Sequence, residues 1–103
     1  RRRDGTFEEI AAEAPPLGIL PDVEFPSREV RLGNDSMYLY TDGISESEGP
    51  DGTQLDSEGL KLMLESSACM QASERLPAII EAWKRTGYET HDDITLLLVE
   101  LAQ

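Results

Sequence analysis

The sequence predicts a layered α+β domain in which antiparallel strands are backed by helices, and three observations predict it. The run Ile94-Thr95-Leu96-Leu97-Leu98-Val99-Glu100-Leu101 is apolar on both faces, with Ile94, Leu96 and Leu98 on one side and Leu97, Val99 and Leu101 on the other. A strand of that kind is buried on both faces, either between two helix layers or between a second sheet and a helix layer. Two segments with apolar residues at helical spacing, around Leu60-Met63-Leu64 and Leu76-Ile79-Ile80-Trp83, supply helices. A second strand, Met37-Tyr38-Leu39-Tyr40, runs into Thr41-Asp42-Gly43 and stops there, because Asp-Gly favours a turn. The two helices cover one face only, so the layering requires more chain than is present.

At 103 residues the chain forms one small domain or part of a larger one, with a modest core that removes roughly two-thirds of the unfolded surface from water. Twenty-one acids against nine bases give a net charge of −12; such a surface repels a phosphate backbone, which excludes nucleic acid as a partner. No apolar run approaches the roughly 20 residues of a membrane span. The single cysteine, Cys69 between Ala68 and Met70, cannot form an internal disulfide and reads as a packed thiol of a reducing compartment, the cytoplasm.

Arg1 to Ile10 reads either as part of a hairpin, with Asp4-Gly5 as its turn and Thr6 to Ile10 as a short strand, or as a loose terminus. Three arginines with no apolar stretch behind them are no secretory signal, and the chain is expected to begin mid-element. Pro15-Pro16-Leu17-Gly18-Ile19-Leu20-Pro21-Asp22 cannot be helical and forms a loop or an edge. Val23 to Leu32 has a half-buried strand pattern broken by Pro26, and Gly33-Asn34-Asp35 turns it toward Met37, predicting a hairpin.

Beyond Asp42 no base occurs before Lys61, while Glu46, Glu48, Asp51, Asp56 and Glu58 accumulate. A calcium loop counted from Asp51 fails, with Leu55 at its fifth position, Asp56 where glycine is required and Leu62 in place of the closing glutamate. The segment therefore reads as a solvated acidic loop with a Pro50-Asp51-Gly52 turn. Ser57 is the expected cap of the first helix. Ser73 is the expected cap of the second, with Pro77 in its first turn, Lys84 and Arg85 in its last and Gly87 as its stop. The Trp83 stripe is read as core.

The remaining signal is a juxtaposition. Asp42 ends one strand, and Thr90-His91-Asp92-Asp93 precedes the other. If the strands are antiparallel neighbours, Asp42 and Asp92 lie at the same edge of one sheet, where two carboxylates can hold a hard cation.

Pro16 to Asp22, the strand ending Leu39-Tyr40-Thr41-Asp42-Gly43-Ile44-Ser45-Glu46, Pro50-Asp51-Gly52 and His91-Asp92-Asp93-Ile94-Thr95-Leu96 together resemble, in order and over nearly the whole chain, a known family. They resemble the C-terminal half of the bacterial metal-dependent Ser/Thr phosphatases of the sporulation-E and stress-regulator type, within the PPM (type 2C) superfamily. The resemblance implies that residues 1–103 are the C-terminal portion of one phosphatase domain, part of an α-β-β-α antiparallel sandwich whose N-terminal half is absent from this chain. It implies two Mg²⁺ or Mn²⁺ ions in the complete domain, with Asp42 and Asp92 as ligands and Gly43 as the position whose backbone approaches a metal. Asp93 is either a ligand or an acceptor behind the ligands. It also implies a phosphorylated protein substrate, an anti-sigma-factor antagonist, attacked by a metal-activated water with no side-chain nucleophile. His91 is either a catalytic acid or simply a polar residue at the head of the strand.

The sequence departs from the family's pattern in three places. The first metal motif, an aspartate in a Gly-Asp segment followed by Gly-His-Gly, has no counterpart, and neither do the regulatory helices. Leu55-Asp56 stands where relatives often have Phe-Gly. The chain is therefore expected to be inactive alone, and a dimer that covers an exposed sheet edge is a further expectation. The alternative reading is a degenerate phosphatase domain that serves as a protein-binding module.

Overall fold

The computed structural model describes residues 1–10, 21–22, 24, 27 and 29–101. The elements in chain order are strand β1 (Met37–Tyr40), a single helical turn α1 (Asp42–Ser45), helices α2 (Asp56–Ser66) and α3 (Ala72–Arg85), and strand β2 (Leu96–Val99). The strands pair antiparallel as expected, with Met37 opposite Val99, Tyr38 opposite Leu98, Leu39 opposite Leu97 and Tyr40 opposite Leu96. Alternation along a strand then sorts the side chains. Tyr38, Tyr40 and Leu96, with Ile94 just before the strand, pack against the core on the helix side. The cross-strand pair Leu39 and Leu97 lies on the other face, 45% and 51% exposed. The sheet is thus covered on one side only, and the burial of both faces expected for residues 94–101 is not met, because among the described residues no second layer lies over Leu97.

The core consists of Ile44, Leu55, Leu60, Leu64, Ile79 and Trp83. Leu60 and Leu64, one turn apart, form the buried stripe of α2; Leu62 points away, 74% exposed. In α3 the buried positions are Ile79 and Trp83, so the tryptophan stripe is core. Gly87 has φ +82 and its N–H donates to the Lys84 carbonyl at 3.1 Å, closing the helix where the sequence placed its stop.

Both helix starts differ from expectation. Helix α2 begins at Asp56, whose φ of +57 lies in the left-handed region that suits glycine. Neither Ser57 nor Ser73 acts as a cap, for the flanking residues are Leu55 and Gln71 and neither makes a side-chain capping bond. Because α3 starts at Ala72, Pro77 is its sixth residue and falls in the second turn rather than the first. Its missing N–H leaves the Ser73 carbonyl without the usual helical donor.

The hairpin expected from Val23 to Leu32 is not formed by its described residues. The turn itself is present, with Gly33 at φ +50 and the Asp35 N–H on the Leu32 carbonyl at 2.8 Å. The pairing positions beside it go elsewhere: Ser36 and Arg1 exchange both main-chain bonds, at 2.9 and 2.8 Å. Val23, Phe25 and Pro26, and the loop predicted over 15–20, lie outside the described residues. At the amino end, Asp4-Gly5 does form a turn, with the Arg2 N–H on the Thr6 carbonyl at 2.7 Å, but no strand follows over Thr6 to Ile10. Ion pairs fix the segment instead: Arg1 with Glu65 at 2.7 Å and Arg2 with Asp35 at 3.0 Å and with Glu8. Cys69 is exposed, not packed: Ser67 is the buried residue of the α2–α3 connection, and Cys69 and Met70 face water. No helix among the described residues is long and apolar enough to cross a membrane.

The end of the sheet remote from Asp42 carries a polar clamp. Arg75 of α3 pairs with Glu100 just after β2 and donates to the Met70 carbonyl at 2.8 Å, and the Ser36 hydroxyl also donates to Glu100. The Ser36 bond, followed by Arg75, holds the Glu100 carboxyl below the usual range. A depressed folded-state pKa contributes stability above the unfolded value of 4.5 and loses it as the pH falls through the folded value. In Glu100→Gln, urea unfolding should show a loss of about 1–3 kcal/mol at neutral pH, together with a flatter stability profile below pH 4.5 than the parent. An unchanged acid profile would remove Glu100 from this role. Leu60→Ala should cost about 2–5 kcal/mol, against less than about 0.5 kcal/mol for Leu62→Ala; equal costs would contradict the packing of α2.

Candidate metal-binding sheet end

The ladder continues past β1 into the loops. The Thr41 N–H donates to the Thr95 carbonyl at 3.1 Å, and the Thr41 hydroxyl accepts from the Thr95 N–H at 3.0 Å while donating to the Asp93 carbonyl at 3.3 Å. Thr41 thereby ties the end of one strand to the head of the other. Gly43 completes the contact. A Cβ built on it would sit 2.1 Å from the Asp93 carbonyl oxygen and 2.9 Å from its carbon, with the Asp92 oxygen at 3.4 Å. Gly43 is not in the left-handed region, so glycine is required here by lack of space rather than by backbone conformation.

The structure thus brings all four residues singled out in the sequence, Asp42, Gly43, Asp92 and Asp93, to one end of the sheet. The three aspartates are exposed and none makes an ion pair among the described residues. The 92–93 loop is held by short-range bonds: the Asp93 N–H donates to Asp92 Oδ1 at 2.8 Å, and the Thr90 hydroxyl accepts from the Asp92 N–H at 3.2 Å. His91 is exposed in the same loop. Among the described residues no group of three or more His, Cys, Asp or Glu side chains is arranged to enclose a metal ion.

The acidic segment after Asp42 is more ordered than a solvated loop. Glu48 exchanges two main-chain bonds with Glu89, at 2.8 and 2.9 Å, and Gly49 to Gly52 closes as a turn with Gly52 at φ +80. Ile44 and Ser47 are buried. The Ser47 hydroxyl donates to the Ile44 carbonyl at 2.6 Å and accepts the indole N–H of Trp83 at 2.9 Å. Thr41, Ser47 and Trp83 all support the turn, and sequence reasoning gave none of them that part. The available signal was a small hydroxyl residue set among glutamates, three positions after the apolar Ile44.

Fold and site together define a small α+β domain with an acidic mouth at one end of an antiparallel strand pair. The family model for Stage II sporulation protein E (SpoIIE) matches residues 1–102, and the chain belongs to this family. Membership connects it with phosphatase-related function. Searches of characterised proteins and of solved structures give no match.

Gly43→Ala should destabilise the protein by about 1–3 kcal/mol in urea unfolding, the usual cost of overpacking, while Ser45→Ala, in the same turn, should be near neutral. An alanine tolerated at position 43 would show that the two loops are not in contact.

Proposed function

We propose that the chain is the C-terminal portion of a PPM-type phosphatase domain that removes phosphate from phosphoserine or phosphothreonine on a regulatory protein. The observation that carries this reading is the juxtaposition of Asp42 with Asp92-Asp93 across one strand register, kept close by a glycine with no room for a side chain. The donors are the kind that Mg²⁺ or Mn²⁺ takes, all oxygen, exposed and free of competing ion pairs among the described residues, and they need further ligands to enclose an ion. Asp42 and Asp92 would hold the metal, with Asp93 beside them and the Gly43 backbone facing it. When bound, the metals supply an acidified water and offset the phosphoryl charge.

The chain's own residues do the rest by position. Thr41 fixes the spacing of the two strand ends, and the Asp92–Asp93 main chain packs on Gly43. Asp42 and Asp92-Asp93 supply only part of the ligand set, and the missing ligands belong to the N-terminal half of the domain. The uncovered Leu39–Leu97 face is where the second sheet of the sandwich would pack. The substrate is proposed to be a phosphorylated anti-sigma-factor antagonist in the cytoplasm.

The test is turnover of a phosphoserine peptide by the natural full-length protein, with and without Mn²⁺, beside Asp42→Asn. Turnover should require the metal and fall at least about 100-fold in the variant, since losing a ligand exceeds the 10–100-fold typical of outer partners. A folded protein with no turnover in Mn²⁺ would instead mark a degenerate domain acting as a binding module.

A further inference from the structure

We infer that Ser47 and Trp83 are positioning residues for the turn that carries Asp42, an inference that rests on the reading of Asp42 as a metal ligand. The turn needs outside support. Helix α1 is four residues long, far below the length at which a helix holds itself in water. The strand ladder fixes the backbone as far as Thr41, and the Gly43 contact fixes its distance from residues 92–93. Neither reaches the far side of the turn, where the main-chain pair between Glu48 and Glu89 holds the chain that follows and the turn itself is tied to the core through Ser47.

Ser47 supplies the side-chain tie to the core. The residue is 1% exposed although its neighbours Glu46 and Glu48 are exposed, and each of its polar groups is engaged. Its N–H and its hydroxyl both donate to the Ile44 carbonyl, at 3.2 and 2.6 Å, its own carbonyl accepts the Leu55 N–H at 2.9 Å, and its oxygen takes the Trp83 indole N–H at 2.9 Å. The only intramolecular link from the end of the turn to α3 that passes through side-chain hydrogen bonds among the described residues is this one. Trp83, nine-tenths buried in the core, is the rigid end of the linkage, and Ile44, fully buried, plugs the turn into the same core. An indole N–H deprived of Ser47 is a buried donor without a partner, and a buried Ser47 without the indole loses half its hydroxyl bonding. Either loss lets the turn rock about the Gly43 contact and spreads the Asp42 carboxylate over positions that do not suit a metal.

The experiment measures Mn²⁺ binding to the full-length protein directly, from the loss of the free-ion electron paramagnetic resonance signal, with peptide turnover followed in parallel. Trp83→Phe and Ser47→Ala should each weaken Mn²⁺ binding about 10-fold, in the range found for groups that orient metal ligands, and turnover at saturating Mn²⁺ should stay within about threefold of the parent because the ligands themselves remain. The double variant should be no worse than the poorer single one, as expected of two ends of one linkage. Ile79→Val, which trims the same core but touches neither hydrogen bond, should bind Mn²⁺ like the parent. An unchanged Mn²⁺ affinity in Ser47→Ala and Trp83→Phe, with binding weakened in Asp42→Asn, would overturn the positioning role and leave the metal site standing. An equal shift in Ile79→Val would also overturn it, by tracing the effect to core packing. Parent-like metal binding and turnover in Asp42→Asn would remove the site and the positioning role together.

Discussion

The register of β1 against β2 is the constraint on which the rest of this structure depends. Because side chains alternate, a slip of one residue would turn Tyr38 and Tyr40 out of the core and bring Leu39 into it. The same slip would carry Asp42 past the Asp92–Asp93 loop. Burial on the helix side and assembly of the acidic end are therefore two consequences of one alignment. The alignment is locked at the site end by Thr41 and Gly43, and at the far end by Arg75, Glu100 and Ser36. A four-residue pairing would be marginal by itself; the helices behind it and these two locks keep it in place.

Much of this was legible in the sequence, and the reason is local chemistry. Met37 to Tyr40 and Leu96 to Val99 are dense in residues that suit a pleated, buried surface, and Asp42-Gly43 marks where the first one ends. The helical stripe ending in Trp83, the Gly87 stop and the Pro50-Asp51-Gly52 turn all depend on near neighbours and came out as read. What failed depended on distant partners. Ser57 and Ser73 are good caps by composition, but the cap positions fall two residues earlier, at Leu55 and Gln71. The strand predicted up to Leu32 lost its place beside Ser36 to Arg1, a competitor 35 residues away that no periodicity could reveal.

The placement of the candidate site's residues at one sheet end was legible in part for the same reason. Its carboxylates stand at strand boundaries, which sequence patterns locate well, so Asp42 and Asp92 could be paired before any coordinates. Its supports were not legible. Ser47 sits in a run of acids whose average character is solvated, and nothing in its neighbours signals that an indole from α3 reaches it. The exposed Cys69 shows the reverse error, since apolar neighbours on both sides did not keep a connection tip out of water.

The distribution of charge adds the last step. Twenty-one acids face nine bases, and the bases are used unevenly. Arg1, Arg2, Lys61 and Arg75 are engaged by Glu65, Asp35, Glu8, Glu9, Glu58 and Glu100, all away from the 92–93 loop. No base among the described residues pairs with Asp42, Asp92 or Asp93. The bases satisfy acids elsewhere and leave these three aspartates exposed to water. Three unpaired carboxylates are thereby left at the sheet end where Gly43 packs on the Asp92–Asp93 main chain. A divalent cation held there, as proposed, would bind the folded domain and not the unfolded chain, and so would add to its stability.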